Sequence, residues 1–441
     1  MSTPDPSLPR IAIHAHCYQP PREDPFTGRV PAEPTALPFH DWNARITAEC
    51  YAPLVHARDL TGHVYVNLFE WMSFDLAPTL ATWLERHAPH VLQAMIAGDA
   101  AAIARTGHGN AIATTWHHVI LPLASPRERA QEIAWGLADF RARFGRDPLG
   151  FWCPETAMDD DTAAALCDAG LRFALVAPNQ IAGGAWSTQP VTWRQGDRSL
   201  VLVPYDGQTS GAIGFTNLVQ DGAALAAALL RGATTHGVTS VATDGETFGH
   251  HKRHGEMGLA AAVGILHRSR QAAVVGTEAL VAVHDEWPEA QLVSPSAWSC
   301  AHGVQRWRAN CGCRADHTRP ARQQWRGPLR EALRWLADAI DEGDGERDDA
   351  AMPAWDARTA RYAMFTSCGW FFDEFEGHET RILLRFAARA MAGRADAAQL
   401  EAGFVERLAH AECNDRALGT GADLWRRDFA SLVRSEALVA R

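Results

Sequence analysis

The fold is decided by one stretch of the chain, Val238-Thr-Ser-Val-Ala-Thr-Asp-Gly-Glu-Thr-Phe-Gly-His-His-Lys-Arg-His254. It begins with a β-branched run that is typical of a buried strand. The run leads into a group of acidic and imidazole side chains, namely Asp244, Glu246, His250, His251 and His254. In barrels and open α/β sheets, the loop after a strand holds polar side chains over a cleft while the strand stays packed. The stretch therefore predicts a catalytic edge. The simpler alternative is a helix start with Asp244 as N-cap and Glu246 in the first turn.

Composition limits the kinds of partner. The chain has 441 residues, 47% of them hydrophobic, which is enough for a large domain and a smaller one. The formal net charge of -11 argues against nucleic acid and anionic membrane surfaces as partners, because both require clustered Lys and Arg. A neutral substrate fits better. The 16 tryptophans favour a carbohydrate cleft, since aromatic faces stack on sugar rings.

The expected compartment is the cytoplasm. Residues 1–10 are polar and Pro-rich without an apolar segment, and no later stretch approaches eighteen uninterrupted apolar residues. Nine cysteines, an odd number scattered along the chain, do not form a disulfide framework.

Strands and helices are expected to alternate over the first two thirds of the chain, and polar side chains recur where strands end. The predicted strands lie at about residues 10–14, 63–69, 111–116, 149–153, 173–177 and 238–243, with a hairpin at 182–206. A parallel sheet with helices outside, most simply a complete or distorted (β/α) barrel, has this pattern. Helices are expected at about residues 77–97 and 125–144, the second with Ser125 as N-cap and Pro126 at its first position. From about residue 325 the pattern becomes amphipathic helices, at about 325–341, 356–365, 379–393, 397–411 and 422–439, and the acidic run 341–349 is expected to be a loop. The expected division is a barrel over residues 1–295 and a helical domain over residues 296–441 that contributes to the cleft.

Two carboxylates stand at ends of predicted strands beside aromatic side chains. Glu155 follows Trp152-Cys-Pro, and Asp244 precedes Phe248. Glycosidic hydrolysis needs such a pair, one group at the anomeric carbon and one acid to protonate the leaving oxygen. The alternative for Glu155 is a helix-start carboxylate.

His14 and His16 lie two apart on an extended segment, so both can face one cleft. They could donate hydrogen bonds to sugar hydroxyls, or form a His-x-His metal pair of the kind that metal-dependent hydrolases and deacetylases use. They could also be strand-end histidines with satisfied hydrogen bonds.

Four motifs, in this order, resemble the conserved regions of glycoside hydrolase family 57. They are His14-x-His16 with Gln19-Pro20, Asn110 to Leu123 with its Thr-Trp-His-His-x-x-Leu-Pro-Leu form, Trp152-Cys-Pro-Glu155-Thr-Ala, and Asp244-Gly-Glu-Thr-Phe-Gly-His250. The resemblance covers roughly residues 10–260. It implies a distorted seven-stranded (β/α) barrel followed by a helical region. It also implies retaining action on α-1,4-linked glucans without a cofactor or catalytic metal.

The resemblance also implies roles for the motif residues. Glu155 would be the nucleophile and Asp244 the general acid/base. Substrate contacts are expected from the other motif residues, namely His14, His16, Gln19, His118, Trp152, Glu246 and His250. A looser fifth region, Thr366 to Glu374, would supply Trp370 for stacking and Asp373 as a polar contact.

The chain departs from the commoner family pattern at Cys17-Tyr18 and in a cysteine-rich segment, so it resembles a separate branch of the family with its own C-terminal domain. Cys300, His302, Cys311 and Cys313 fall within fourteen residues. Such groups can bind zinc, but the spacing is not the usual Cys-x2-Cys, and cysteine is often simply buried. The alternatives of a metal-dependent hydrolase and a sugar-binding protein without turnover stay open from the sequence.

Overall fold

The structure is a computed structural model that describes residues 5, 7–58, 65–184, 188–318, 321–344, 353 and 356–434. The strands are β1 (Arg10–Cys17), β2 (Ala57–Arg58), β3 (Tyr65–Val66), β4 (Ser73–Leu76), β5 (Ala111–Thr114), β6 (Gly150–Trp152), β7 (Phe173–Val176), β8 (Val191–Gln195), β9 (Arg198–Pro204), β10 (Val238–Asp244) and β11 (Ala273–Val275). The helices of the first 300 residues are α1 (Trp42–Ile46), α2 (Ala52–Val55), α3 (Pro78–His87), α4 (Pro89–Thr106), α5 (Pro126–Phe144), α6 (Asp160–Asp168), α7 (Gly207–Phe215), α8 (Gly222–His236), α9 (Gly255–Ser269) and α10 (Thr277–Val281). Those that follow are α11 (Arg326–Asp344), α12 (Ala357–Ala363), α13 (Cys368–Phe371), α14 (His378–Met391), α15 (Ala397–Leu408), α16 (Gly421–Asp428) and α17 (Ala430–Val433).

In the described chain, eight strands of the central sheet are parallel: seven follow the order β10-β1-β4-β5-β6-β7-β9, and β11 is the eighth. β8 pairs antiparallel with β9, and β11 pairs with the start of β1. Hydrogen bonds connect the segment that follows β9 to strand β10. Asp206 N–H donates to Ser240 O at 2.7 Å, and Ala242 N–H donates to Ser210 Oγ at 3.1 Å. The distorted (β/α) barrel expected from the sequence is confirmed.

The buried strands and their flanking helices follow from local sequence. In β1 the last seven residues are buried, as expected for a parallel strand covered on both faces. Helix α5 begins with a capping box between Ser125 and Glu128 and ends at Gly145, whose φ of 66° suits the left-handed C-terminal position.

Strand register brings polar residues together at the carboxyl edge of the sheet. His16 in β1 pairs with Asp244 in β10 on one side and with Asp75 in β4 on the other. The pairing of the strands therefore determines where the cleft lies.

Two predictions about the early elements are wrong. The strand expected at residues 63–69 is not part of the central sheet: 63 and 64 lie outside the described residues, and Tyr65–Val66 pairs with Ala57–Arg58 in a separate hairpin. Its place is taken by β4, whose four residues are all buried and so show no alternation. The single helical pattern over 77–97 is two helices, separated just before Pro89.

After residue 325 the described chain is helical, as expected. The predicted helices at 325–341, 356–365, 379–393 and 397–411 correspond to α11, α12, α14 and α15. The helix predicted at 422–439 is divided into α16 and α17, and residues 435–439 lie outside the described chain. Of the acidic run predicted as a loop at 341–349, residues 341–344 belong to α11 and the rest lie outside the described residues. Within the described chain, every helix is too short or too polar to span a bilayer.

Candidate active site

A cleft opens between the carboxyl edge of the barrel and the helical region. One cavity of about 510 Å³ is lined by residues of both parts, including Tyr18, Glu155, Asp244, Phe371 and Phe372. A second cavity of about 470 Å³ also includes Glu155, Asp244, His251 and Phe371 in its lining. The two carboxylates therefore lie where the cavities meet.

Glu155 is held in an unusual backbone conformation. Its φ is 60° and that of Thr156 is 49°, both in the left-handed region that non-glycine residues rarely adopt. The side chain receives hydrogen bonds from Trp298 Nε1 at 3.0 Å and Ser299 Oγ at 2.5 Å, both at Oε2. Backbone and side chain together aim this carboxylate into the cleft.

Asp244 has the perturbed acidity expected of a proton donor. It keeps some exposure to the cleft, but its carboxyl group lies deep among protein atoms. Burial first, and then the negative charges of Glu246 and Glu155, raise the pKa of Asp244 to about 7, although the charge of His16 opposes them. A carboxyl group with this pKa is partly protonated near neutral pH.

Beneath the cleft, Asp75 joins the two histidines of β1. His14 Nε2 lies 3.1 Å from Asp75 Oδ1, and His16 Nδ1 lies 2.8 Å from Asp75 Oδ2. Burial opposes a charge on His16, but the Asp75 carboxylate outweighs it and raises the pKa of His16. A buried ion pair between His16 and Asp75 is the consequence.

His118 extends this network to the helical region. Its Nε2 lies 3.1 Å from His16 Nε2 and its Nδ1 lies 2.7 Å from Ser367 Oγ. Burial and the neighbouring His16 charge lower the pKa of His118, so it is neutral and accepts from His16 while donating to Ser367. Tyr18 stacks on the His118 ring with centroids 3.6 Å apart, which gives the cleft an aromatic wall.

A third carboxylate, Glu246, is fixed by neutral donors. Its Oε1 accepts from Gln19 Nε2 at 2.9 Å and from Tyr51 Oη at 2.7 Å. Because Gln19 and Tyr51 carry no charge, they do not neutralise Glu246. The negative charge of Glu246 therefore raises the pKa of Asp244.

Seven of the expected site residues line the cleft, namely His16, Gln19, His118, Glu155, Asp244, Glu246 and His250. His250 is tied to Glu49, with Nδ1 to Oε2 at 2.5 Å. His14 and Trp152 do not reach the cavity surface, because both are fully buried and stacked on each other at 4.9 Å. Their place is under the cleft, where Trp152 also supports the His16 ring.

The structure does not bring Trp370 and Asp373 to the cleft. Trp370 is fully buried, donates from Nε1 to Arg326 O at 3.1 Å and lies under the Arg330 guanidinium. Asp373 accepts from the backbone N–H of Ala315 and Asp316 instead. Neither residue lines the cavity; in this segment Phe371, the last residue of α13, and Phe372, directly after it, do so instead.

The His14/His16 pair is not arranged as a metal site. Both ring nitrogens of His14 already face Ser73 and Asp75, and those of His16 face Asp75 and His118. Each nitrogen is used inside the hydrogen-bond network, so the donor set does not fit an ion that needs free ring nitrogens converging on one point.

Several site residues were not predicted from the sequence: Tyr18, Asp75, Trp298, Ser299 and Ser367. Asp75 lies on the strand that the sequence pattern missed. Trp298 and Ser299 directly precede Cys300, in a segment where the sequence pattern predicted only a possible metal site. A polar residue between apolar ones, as in Ser73-Phe-Asp75-Leu, was the available signal for Asp75.

Comparison with known proteins decides the family. A family model described as glycosyl hydrolase family 57 matches residues 37–271, more than half of the 441-residue chain. The chain belongs to glycosyl hydrolase family 57. This confirms the resemblance noted in the motifs. A second model, a domain of unknown function (DUF3536), matches residues 356–440 of this family 57 protein.

Solved structures share the fold of this family 57 protein at low sequence identity. An exo-type maltose-forming amylase from Pyrococcus sp. ST04 is 13% identical, with a TM-score of 0.70 over 91% of this chain and 83% of that one. A 4-alpha-glucanotransferase from Thermococcus litoralis is 12% identical, with a TM-score of 0.62 over 92% of this chain and 60% of that one. A GH57 branching enzyme from Thermococcus kodakaraensis is 14% identical, with a TM-score of 0.58 over 96% of both chains. No curated protein sequence matches.

Proposed function

We propose that this protein is a retaining enzyme that cleaves or transfers α-1,4-glucosidic linkages of oligo- or polysaccharides. One observation carries the proposal: Glu155 and Asp244 share one cleft, and the pKa of Asp244 is raised to about 7 while Glu155 is held by two donors. Two carboxyl groups in different environments are what general acid and nucleophile require. Family membership supports the same reaction class.

In the first step, Glu155 forms a bond to the anomeric carbon as the glycosidic bond breaks, and Asp244 gives its proton to the departing oxygen. Trp298 and Ser299 occupy Glu155 Oε2, which leaves Oε1 for the anomeric carbon. In the second step, Asp244 takes a proton from the acceptor, whose oxygen replaces Glu155 at the anomeric carbon. Two inversions give net retention.

Substrate contacts are proposed for the polar residues and rings that line the cleft. Glu246 and Gln19 offer groups for sugar hydroxyls, and His250 lines the same cavity. Phe371 and Phe372 take the stacking role that the sequence assigned to Trp370, since both line the cavity and Phe372 is exposed. The Nε2 atoms of His16 and His118 face each other, and their Nδ1 atoms bond to Asp75 and Ser367. Because all four ring nitrogens are engaged, we assign both rings to the wall of the cleft.

We further propose a functional division near residue 295, with the barrel supplying both carboxylates and the helical part covering them. The cytoplasm is the proposed compartment. None of the nine cysteines, all of which lie in the described part of the chain, forms a disulfide, as is usual in a reducing compartment.

The direct test is to incubate the protein and its Glu155→Gln variant with maltooligosaccharides and glycogen, and to follow the anomers by NMR. Retention of the α-configuration in the first product, with a rate loss above about a thousandfold in the variant, is expected. A β-anomer as first product, or turnover that survives in the variant, would contradict the proposal.

Azide distinguishes the two roles when an activated aryl maltooligosaccharide is the substrate, because its leaving group needs no proton. In Glu155→Ala, azide should occupy the vacated space and give the β-glycosyl azide by a single displacement. In Asp244→Ala, azide should attack the glycosyl-enzyme and give the α-glycosyl azide. Exchanged configurations would mean that the two roles are exchanged.

A further inference from the structure

A second cluster of reactive side chains lies beside the cleft but outside it. Cys300, His302, Cys311 and Cys313 place one ligand atom each within 4.8 Å of all the others. The Sγ atoms of Cys300 and Cys311 are 4.0 Å apart, and those of Cys313 and Cys300 are 3.8 Å apart. Cys313 Sγ is 3.5 Å from His302 Nδ1. No step of the proposed reaction uses these groups.

The sulfur–sulfur distances of 3.8 and 4.0 Å and the sulfur–nitrogen distance of 3.5 Å are close to the edges of a zinc tetrahedron. With Zn–S bonds of about 2.3 Å and a Zn–N bond of about 2.0 Å, tetrahedral angles require about 3.8 Å between two sulfurs and about 3.5 Å between sulfur and nitrogen. A disulfide would need about 2.05 Å between sulfurs. The spacing is therefore that of ligands around a common centre and not that of bonded sulfurs.

Local sequence explains how four ligands converge without the usual Cys-x2-Cys pairs. Cys311 and Cys313 flank Gly312, whose φ of 84° reverses the chain so that both thiols face the same way. Gly303, with φ of 77°, turns the chain directly after His302. Cys300 is buried at 3% exposure, while the other three ligands are partly or fully accessible, which gives an ion a path from solvent.

We propose that Cys300, His302, Cys311 and Cys313 form a structural Zn²⁺ site. Three thiolates and one imidazole are soft and borderline donors that favour zinc over the hard cations. All four tetrahedral positions are supplied by the protein, so no position is open for water or substrate, and the ion has no catalytic role.

The position of the site gives it a structural purpose. Cys300 directly follows Trp298 and Ser299, the two donors to Glu155. On the other side, Cys313 O accepts from Gln323 Nε2 at 2.8 Å and from Arg326 Nη1 at 3.0 Å, at the start of the helical region. The ion links these two segments. The metal site does not depend on the proposed glycosidase activity, since metal content is measured without substrate.

The first experiment measures metal content by plasma mass spectrometry in protein produced in zinc-supplemented medium and purified without a polyhistidine tag. About one zinc per chain is expected in the wild type and in the control Cys167→Ser, whose half-buried thiol lies on α6. The double variant Cys311→Ser/Cys313→Ser should lose the zinc. Equal zinc content in wild type and double variant, or iron in place of zinc, would overturn the assignment.

A second experiment uses only the wild type, in case the double variant does not fold. Native protein is treated with iodoacetamide before and after a chelator, and modified peptides are quantified by mass spectrometry. Cys311 and Cys313 should resist alkylation until the chelator removes zinc, whereas Cys167, also partly exposed, should react equally in both samples. Chelation should also lower the thermal midpoint. Rapid alkylation of Cys311 and Cys313 without chelator, or a disulfide between any two of the three thiols, would refute the site.

Discussion

At the residue scale, the chemistry depends on how one carboxyl group is kept protonated near neutral pH. Burial and the charges of Glu246 and Glu155 raise the pKa of Asp244 to about 7. Glu246 lies two residues further along the chain, and its donors Gln19 and Tyr51 are uncharged. The negative charge of Glu246 therefore helps to keep Asp244 protonated by raising its pKa.

This interpretation predicts the pH profile of Glu246→Gln. Removing the negative charge lowers the pKa of Asp244, so the protonated form required for cleavage is lost at lower pH. The alkaline limb of kcat/KM should move down by about half a pH unit or more. Glu379→Gln is the matched control, because Glu379 lines the same cavity but is not among the charges that shift Asp244. An unmoved limb in Glu246→Gln, or the same shift in both variants, would count against this account.

Asp75 is the residue on which the buried histidine network depends. Both His14 and His16 bond to it, and it is fully buried. In Asp75→Asn the buried His16 loses its counterion, and the free energy of unfolding should fall by about 3–5 kcal/mol in urea titrations. Asp168→Asn, which removes an exposed partner of Arg198, should change it little. If the two variants were equally stable, Asp75 would not have the proposed role.

At the element scale, helix α5 connects the barrel to the helical region through one carboxylate. Glu128 bonds to Arg334 of α11, at 2.7 Å, and to Arg361 of α12. Burial opposes its charge, but the hydrogen bond from Arg334 and the charge of Arg361 outweigh burial and lower the pKa of Glu128 to about 2. The same side chain closes the capping box with Ser125.

Glu128→Gln should therefore destabilise the protein in a pH-dependent way. A carboxylate whose folded pKa lies near 2, below its ordinary 4.5, stabilises fully above pH 4.5, and this contribution is lost as the pH falls toward 2. At pH 7 the variant should lose about 3–5 kcal/mol of unfolding free energy, and the gap to wild type should narrow at pH 3.5. Glu85→Gln, which removes an exposed partner of Arg143, is the control. A gap that stays constant with pH would show that the charge is not responsible.

Elements whose chemistry is local could be predicted from sequence, whereas others could not. β10 and α5 have β-branched and capping signals in their own residues, and both were expected. β4 was missed because four residues buried on both faces carry no periodicity. The contact of Trp298 with Glu155 spans 143 residues and that of Ser367 with His118 spans 249, and such separations are fixed by tertiary packing. For the same reason Trp370 was assigned to the cleft although its ring faces the helical core.

At the scale of the whole molecule, the barrel and the helices together define which glycan fits. Phe371 and Phe372 cover a cleft whose floor is the barrel edge. In Glu155→Gln, which binds without turnover, maltoheptaose should raise the thermal midpoint, with about 2.7 kcal/mol of added stability at a hundredfold excess over Kd. Cellohexaose, whose β-linkages give a different chain shape, is the control. Equal shifts with both sugars would contradict an α-glucan cleft.

The central claim, a covalent intermediate on Glu155 with Asp244 as acid/base, is tested most directly by trapping that intermediate. With α-maltosyl fluoride as substrate, fluoride departs without needing a proton from an acid. Asp244→Asn should therefore still form the glycosyl-enzyme intermediate but lack the base that helps water or a sugar to release it. Peptide mapping by mass spectrometry should then find a maltosyl adduct on Glu155. An adduct on another carboxylate, or steady fluoride release with a β-configured product and no adduct, would contradict the claim.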